Sequence, residues 1–306
     1  MKQPAGRRKE AAASEASTRA LGDALRRHVE HLAATIGERH VRRPAALHAA
    51  ERYIREAWTR LGYAVVRQPY RAYDVESANL EIAIPGRAQP SAIVLAGAHY
   101  DTVDGSPGAD DNASGVAALI ELARMLRDER PAQTIRLVAF VNEEPPFFYF
   151  GEMGSGVYAR AARARGDDIR IMLSLEMLGC YSETRGSQRY PLLLRHFYPD
   201  RGNFIAFVAN LRSRAALRAA VSAFKGGSAF PIESLASPAI VPGVSWSDQL
   251  SFWRAGYRAI MVTDTAFYRN AHYHCPSDTP EKLDYESMAR VVEGLGKTLV
   301  TLATPA

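Results

Sequence analysis

Apolar positions along this chain of 306 residues switch between continuous runs and a helical spacing, and the switching predicts the order of elements. Helices are expected over 18–36 and 44–61, the second opened by Pro44 and closed by Gly62. Residues 65–73 and 79–84 read as a pair of strands ended by Pro85-Gly86. Residues 92–98 are apolar without a break, as in a strand buried on both faces. Val116, Leu119, Ile120, Ala123 and Leu126 then recur at helical spacing until Pro131 stops the helix. Further strands are expected over 134–141, 169–177, 204–209 and 257–263, with helices over 212–224, 248–255 and 285–302. Alternation of this kind predicts an α/β fold: a single three-layer α/β/α domain around a central mixed, mostly parallel sheet. Residues 1–18, polar and alanine-rich, are expected to form a disordered tail, and residues 19–306 the domain. No internal repeat or low-complexity linker interrupts it.

Composition changes this picture little. Hydrophobic residues make up 47% and charged residues 23%, the profile of a soluble protein with a sizeable core. The net charge of +5 comes mostly from arginines spread along the whole length, so no nucleic-acid partner is expected. No run approaches the roughly 20 apolar residues that cross a bilayer, so no membrane partner is expected either. The first 20 residues lack the apolar core of a secretory signal. As written, the chain is expected in the cytoplasm; a mis-assigned start or a removed leader would make it secreted or periplasmic. Cys180 and Cys275 belong to no CxxC pair, which argues against a zinc–thiolate site, and nothing requires them to pair. The sequence sets no oligomeric state.

The chemistry lies where the strands give out. His99 and Asp101 end one predicted strand, Glu143 and Glu144 another and Glu176 a third, while His274 follows the last. Function in open α/β sheets collects at such carboxyl ends. Imidazole nitrogen and carboxylate oxygen suit zinc. His99, Asp111, Glu144, Glu176 and His274 are enough for two divalent ions sharing one carboxylate. A paired centre also needs a carboxylate as base, and Glu143 stands directly before Glu144. The pair must lie beyond the strand end, because neighbours within a strand face opposite ways. Asp101 can orient His99 through the second ring N–H. Asp110 and Asp111 sit in a tight turn opening a helix, where acids also serve as caps; coming shortly after His-x-Asp, they point to a ligand. Of His272 and His274 only one is needed, which leaves His272 behind the ligands or facing substrate.

The motifs His99-Tyr100-Asp101, Gly108-Ala109-Asp110-Asp111-Asn112-Ala113-Ser114-Gly115, Asn142-Glu143-Glu144, Leu175-Glu176-Met177 and Tyr273-His274 follow one another in a known order. Over roughly residues 40–303 the chain resembles the di-zinc aminopeptidase family that also contains the glutamate carboxypeptidases, metallopeptidase clan MH. The resemblance implies that His99 and Glu176 bind one zinc, Glu144 and His274 the other, and Asp111 both. It makes Glu143 the general base and Asp101 the partner of His99, and it implies a cis peptide at Asp111–Asn112. The activity it implies is that of an exopeptidase removing the N-terminal residue of peptides. Two positions depart from the pattern. Glu176 stands where many members have aspartate, and Ser247-Asp248-Gln249 where members often read Ser-Asp-His. Gln249 then has no role, and Asp248 stands at most behind the ligands. Phe147-Phe148-Tyr149-Phe150 is either a loop packed on the core or one wall of a pocket for an apolar N-terminal side chain. Two other readings stay open: a glutaminyl-peptide cyclotransferase of the same fold, and a metal-free, non-enzymatic binding protein. The intact Asp110–Gly115 motif weighs against the first, and retention of all five candidate ligands against the second.

Overall fold

The apolar run at residues 92–98 becomes the middle of the sheet. The computed structural model describes residues 5–149 and 152–305. Strand β3 (Gln89–His99) pairs in parallel with β4 (Gln133–Phe140) on one side and β5 (Asp168–Glu176) on the other. Beyond β4 the sheet ends in an antiparallel hairpin of β1 (Val66–Ala72) and β2 (Val75–Ile84). Beyond β5 come β8 (Ala259–Thr263), parallel to it, then β6 (Ile205–Ala209), antiparallel, and β7 (Ile232–Ala236) at the far edge. The order is therefore β1-β2-β4-β3-β5-β8-β6-β7, a mixed and mostly parallel sheet as the alternation predicts.

Helices close both faces. Helices α1 (Ala5–Val29), α2 (Pro44–Arg60), α3 (Gly115–Leu126), α5 (Arg214–Gly227) and α7 (Tyr285–Ala303) pack over one face in the main apolar core. The opposite face is covered by α4 (Gly154–Arg165) and α6 (Gln249–Arg254), which bury Tyr158, Ala159, Ala162 and Phe252 against Leu95, Val138 and Met172. Helix α7 shows why the layers hold. Met288, Val291, Val292, Leu295 and Leu299 recur every three or four residues and are all fully buried. Each such side chain contributes about 1.5–3 kcal/mol.

Three elements differ from expectation. Helix α1 begins at Ala5, so the described part of the expected tail, residues 5–18, is helical, while residues 1–4 lie outside the described residues. Alanine is the best helix former, and the stretch leads into Leu21, Leu25 and Val29, which are buried in the main core. Helix α4 was not expected because its buried stripe is narrow and made mostly of small residues. Strand β7 is a half-exposed edge with no apolar run. Among the described residues no helix is long and apolar enough to cross a membrane, and both cysteines are free.

Candidate metal centre

Because β3, β4, β5 and β8 run the same way, their carboxyl ends reach one edge of the sheet, and the candidate residues leave from there. Backbone turns right at that edge. Asn142 (φ 58°), Met177 (φ 55°) and His274 (φ 57°) all have positive φ, a conformation L-residues adopt sparingly and that clusters at functional sites. The turn at Asn142 releases Glu143 and Glu144 from the strand alternation, so both enter the same cluster. The Asp111–Asn112 peptide is cis, as the resemblance implies. Gly108 (φ 60°) precedes that loop, and a Cβ there would lie 2.3 Å from the Asp111 carbonyl oxygen.

Asp111 is the pivot of the cluster. Its Oδ1 lies 3.3 Å from His99 Nε2, and its Oδ2 lies 3.2 Å from His274 Nε2. Glu176 Oε2 stands 3.5 Å from the same His99 nitrogen, and Glu144 Oε2 stands 3.3 Å from that of His274. Glu143 shares a third group with His99 and Glu144, their ligand atoms within 4.8 Å of one another. All are buried except His274, whose side chain is 31% exposed, so the centre opens to solvent on that side. The Tyr273 ring stacks on His274 at 3.8 Å.

The electrostatics call for cations. Among the described residues no lysine or arginine pairs with Asp111, Glu143, Glu144 or Glu176. Burial raises the Glu143 carboxyl well above its ordinary value; His99 draws it back, and Glu144, Glu176 and Asp248 push it further up. Burial and the charge of Asp111 push Glu144 up to about 7. Burial would also raise Asp111, but bonds to His274 and His99 hold it well below the usual carboxylate range. His99 Nε2, Asp111 Oδ1 and Glu144 Oε1 are buried without a hydrogen bond. Buried charges of one sign persist only when paired or bound to metal, and this donor set of imidazoles and carboxylates suits zinc. The residues present fit a metal centre.

Around the cluster, further side chains hold it in shape. The Asp101 carboxylate accepts the backbone N–H of Glu143 (3.0 Å) and of Glu144 (3.1 Å). His99 Nδ1 lies nearer the Asp101 backbone carbonyl (3.2 Å) than its carboxylate (3.5 Å). Asp110 points away from the cluster, accepting from the Gly179 amide and the Asn270 side chain, both at 2.8 Å. His272 meets Ser277 Oγ at 2.9 Å and does not converge with the others. Asp248 is fully buried at the start of α6 and pushed up to about 7 by burial. Gln249 donates to the Val244 carbonyl. Phe147 is buried against Tyr73 and lines a small pocket beside Glu144, Phe148 packs on the core and Tyr149 bonds Ser245; Phe150 lies outside the described residues.

Three supporting residues were not singled out in the sequence. Asp278 accepts the amides of Asp110 (3.0 Å) and Asp111 (3.1 Å). Arg39, fully buried, donates to the carbonyls of Tyr100, Pro107 and Gly108 and so clamps the loop that delivers Asp111. Ser247 Oγ donates to Glu176 Oε2 at 2.5 Å. Ser247 sits in a motif that was read for its neighbours and Asp278 follows His274 by four residues; Arg39 carried no signal beyond being one arginine among many.

A three-layer sheet with this cluster at its carboxyl edge defines a class, the metallopeptidases of the zinc-exopeptidase fold. The chain belongs to peptidase family M28, whose family model matches residues 79–299. The Escherichia coli (strain K12) protein YfbL, itself uncharacterized, is 39% identical over 280 residues, which is 89% of this chain and 85% of that one. A probable leucine aminopeptidase of Trichophyton verrucosum (strain HKI 0517) is 27% identical over 225 residues, or 69% of this chain. The match spans about half of that relative, 53% of its length. Among solved structures, BSAP, a zinc aminopeptidase from Bacillus subtilis, aligns with a TM-score of 0.73 at 15% identity, covering 92% of this chain and 95% of that one. That likeness shows the fold.

Proposed function

We propose that the protein is a zinc-dependent aminopeptidase with two metal sites, hydrolysing the N-terminal peptide bond of peptides. His99 and Glu176 would hold one ion and Glu144 and His274 the other, with Asp111 serving both. The observation carrying this reading is the split of Asp111, whose two oxygens face two different imidazoles at 3.3 and 3.2 Å. Zinc bound there supplies a Lewis acid for the scissile carbonyl and lowers the pKa of water. Glu143, beside the cluster and outside the ligand pairs, takes the proton from the attacking water and returns it to the leaving amine. Its raised pKa suits both halves of that task.

Recognition of a free amino terminus, rather than a carboxylate, agrees with the surrounding charges. Among the described residues, Arg42 and Arg189 are the arginines lining the two pockets beside the cluster. Arg42 is paired with Asp104, and Arg189 donates to the Phe267 carbonyl. The surroundings of the cluster are otherwise acidic, which favours an amine. The test is a panel of free, N-acetylated and N-terminal-glutamine peptides, incubated with zinc-loaded protein and read by mass spectrometry. Single residues should leave free amino termini only, and a chelator should stop the reaction. Glu143→Ala should abolish turnover while metal content stays near that of the parent. Loss of ammonia from the glutamine peptides alone would make the protein a cyclotransferase instead.

A further inference from the structure

A cavity with apolar walls opens beside Glu176 and Tyr273, enclosing about 850 Å³ with its mouth included. Strand register defines its floor. Glu176 lies opposite Thr263, Thr263 opposite Ala206, and Ala206 opposite Glu233. Residues directly opposite one another share a face of the sheet. Ala206 packs on this face with Phe204, Val208, Val244 and Met261, so the row lies under the cavity. At about 4.8 Å per strand, three steps separate Glu176 from Glu233 by ~14 Å. Two small side chains between two carboxylates leave a trough that starts at the metal centre.

Several polar groups of its walls are already engaged. Tyr190 Oη donates to the Pro199 carbonyl at 2.6 Å, Tyr198 Oη to the Ser234 carbonyl at 3.0 Å, and Gln188 meets Arg269 and Thr265. Arg189 is exposed and donates to the Phe267 carbonyl. Glu233 differs. It is half-buried, lines the trough, and among the described residues its carboxylate makes no hydrogen bond or ion pair. Burial raises its carboxyl above the ordinary value, and the charge of Lys225 draws it back.

We propose that this trough receives the side chain of the substrate's N-terminal residue and that Glu233, at its far end, selects lysine or arginine. The inference rests on the aminopeptidase reading above. A leucine side chain would end over the small floor residues and leave Glu233 partly desolvated with no partner. A lysine or arginine lays its aliphatic stem over Thr263 and Ala206 and brings its cation to Glu233. An acidic side chain would meet Glu176 at one end and Glu233 at the other, and is rejected.

Two measurements on the zinc-loaded protein and on Glu233→Gln test this. The first compares kcat/KM for arginine, lysine, leucine and methionine p-nitroanilides. The second is calorimetric binding of free L-arginine and L-leucine, which reads the trough without turnover. The parent should prefer the basic residues, and Glu233→Gln should lower the arginine-to-leucine ratio about tenfold or more in both assays, as loss of a partly buried charged hydrogen bond requires. A parent that prefers leucine or methionine, or a ratio unmoved by Glu233→Gln, overturns the proposal. Should no anilide be cleaved while arginine still binds through Glu233, the hydrolase reading falls and the trough stands. Equal binding of both amino acids removes the trough.

Discussion

Asp101→Asn changes one atom of a side chain that is 1% exposed, and its effect can be worked out from the distances. The carboxylate accepts two backbone amides, from Glu143 at 3.0 Å and from Glu144 at 3.1 Å. Asparagine keeps one acceptor oxygen and turns an NH2 group toward the second amide. One hydrogen bond to a charge is lost, about 1.5–3 kcal/mol, and a buried donor is left facing a donor, about 1–3 kcal/mol more. Removing a buried charge returns part of this. The net expectation is a destabilisation of about 2–4 kcal/mol, carried by the turn that presents Glu143 and Glu144. The bond from His99 Nδ1 to the Asp101 backbone carbonyl survives, so His99 itself should stay in place.

The loss therefore has a specific signature. Urea unfolding of the metal-free protein reads the stability term. Steady-state kinetics on a free-amine substrate should show kcat falling about 10–100-fold with a much smaller change in KM, because groups behind a metal site typically act at that level. Metal stoichiometry should fall less than activity, since four of the five proposed ligands do not hang on this turn. A variant within about 0.5 kcal/mol of the parent, with kcat unchanged, would mean that Asp101 does not hold the Glu143–Glu144 turn, and that the charge on this buried residue serves some other neighbour.

Two further substitutions probe the loops. Ser247→Ala removes the 2.5 Å donor to Glu176, leaving that oxygen the 3.4 Å contact from Asn112 Nδ2 and the 3.5 Å approach of His99 Nε2. Metal affinity on that side should drop about 10–100-fold in a chelator competition, with Ser247→Thr restoring most of it; equal affinities would separate Ser247 from the centre. Gly108→Ala places a methyl 2.3 Å from the Asp111 carbonyl oxygen and 2.4 Å from Thr102 Cγ2, at φ 60°. It should cost about 3 kcal/mol or more in unfolding free energy and weaken metal binding, and a neutral result would mean the loop can move aside freely.

How far the sequence carried the fold depends on what each element buries. β3 and α7 were readable because burial on both faces, or along one continuous stripe, writes itself as an unbroken or strictly periodic apolar pattern. α4 was not, because apart from Tyr158 its inner face is built from Gly154, Ser155, Ala159 and Ala162, whose small side chains give little contrast with the outer face. β7 pairs on one side only, so Glu233 could stand in it without contradicting the apolar sheet it joins. The same physics governs the site. His99, Glu143, Glu144 and Glu176 announced themselves because a buried acid or imidazole at the end of an apolar strand is expensive unless it has a purpose.

Asp278, Arg39 and Ser247 gave no such contrast, because they support the site through backbone groups or a side chain 61 or more residues away, reached only once the chain is folded. Glu176 joins the two kinds of evidence. As a sequence letter, a glutamate in an aspartate position looks like a weakened ligand. Folded, its longer arm ends against Ser247 Oγ and beside His99, so the extra methylene is taken up by a donor from the loop before α6. The departure at Glu176 therefore has a built support in this chain. The same glutamate also begins the row that ends at Glu233, so the residue proposed to complete one metal site is also the head of the trough beside it.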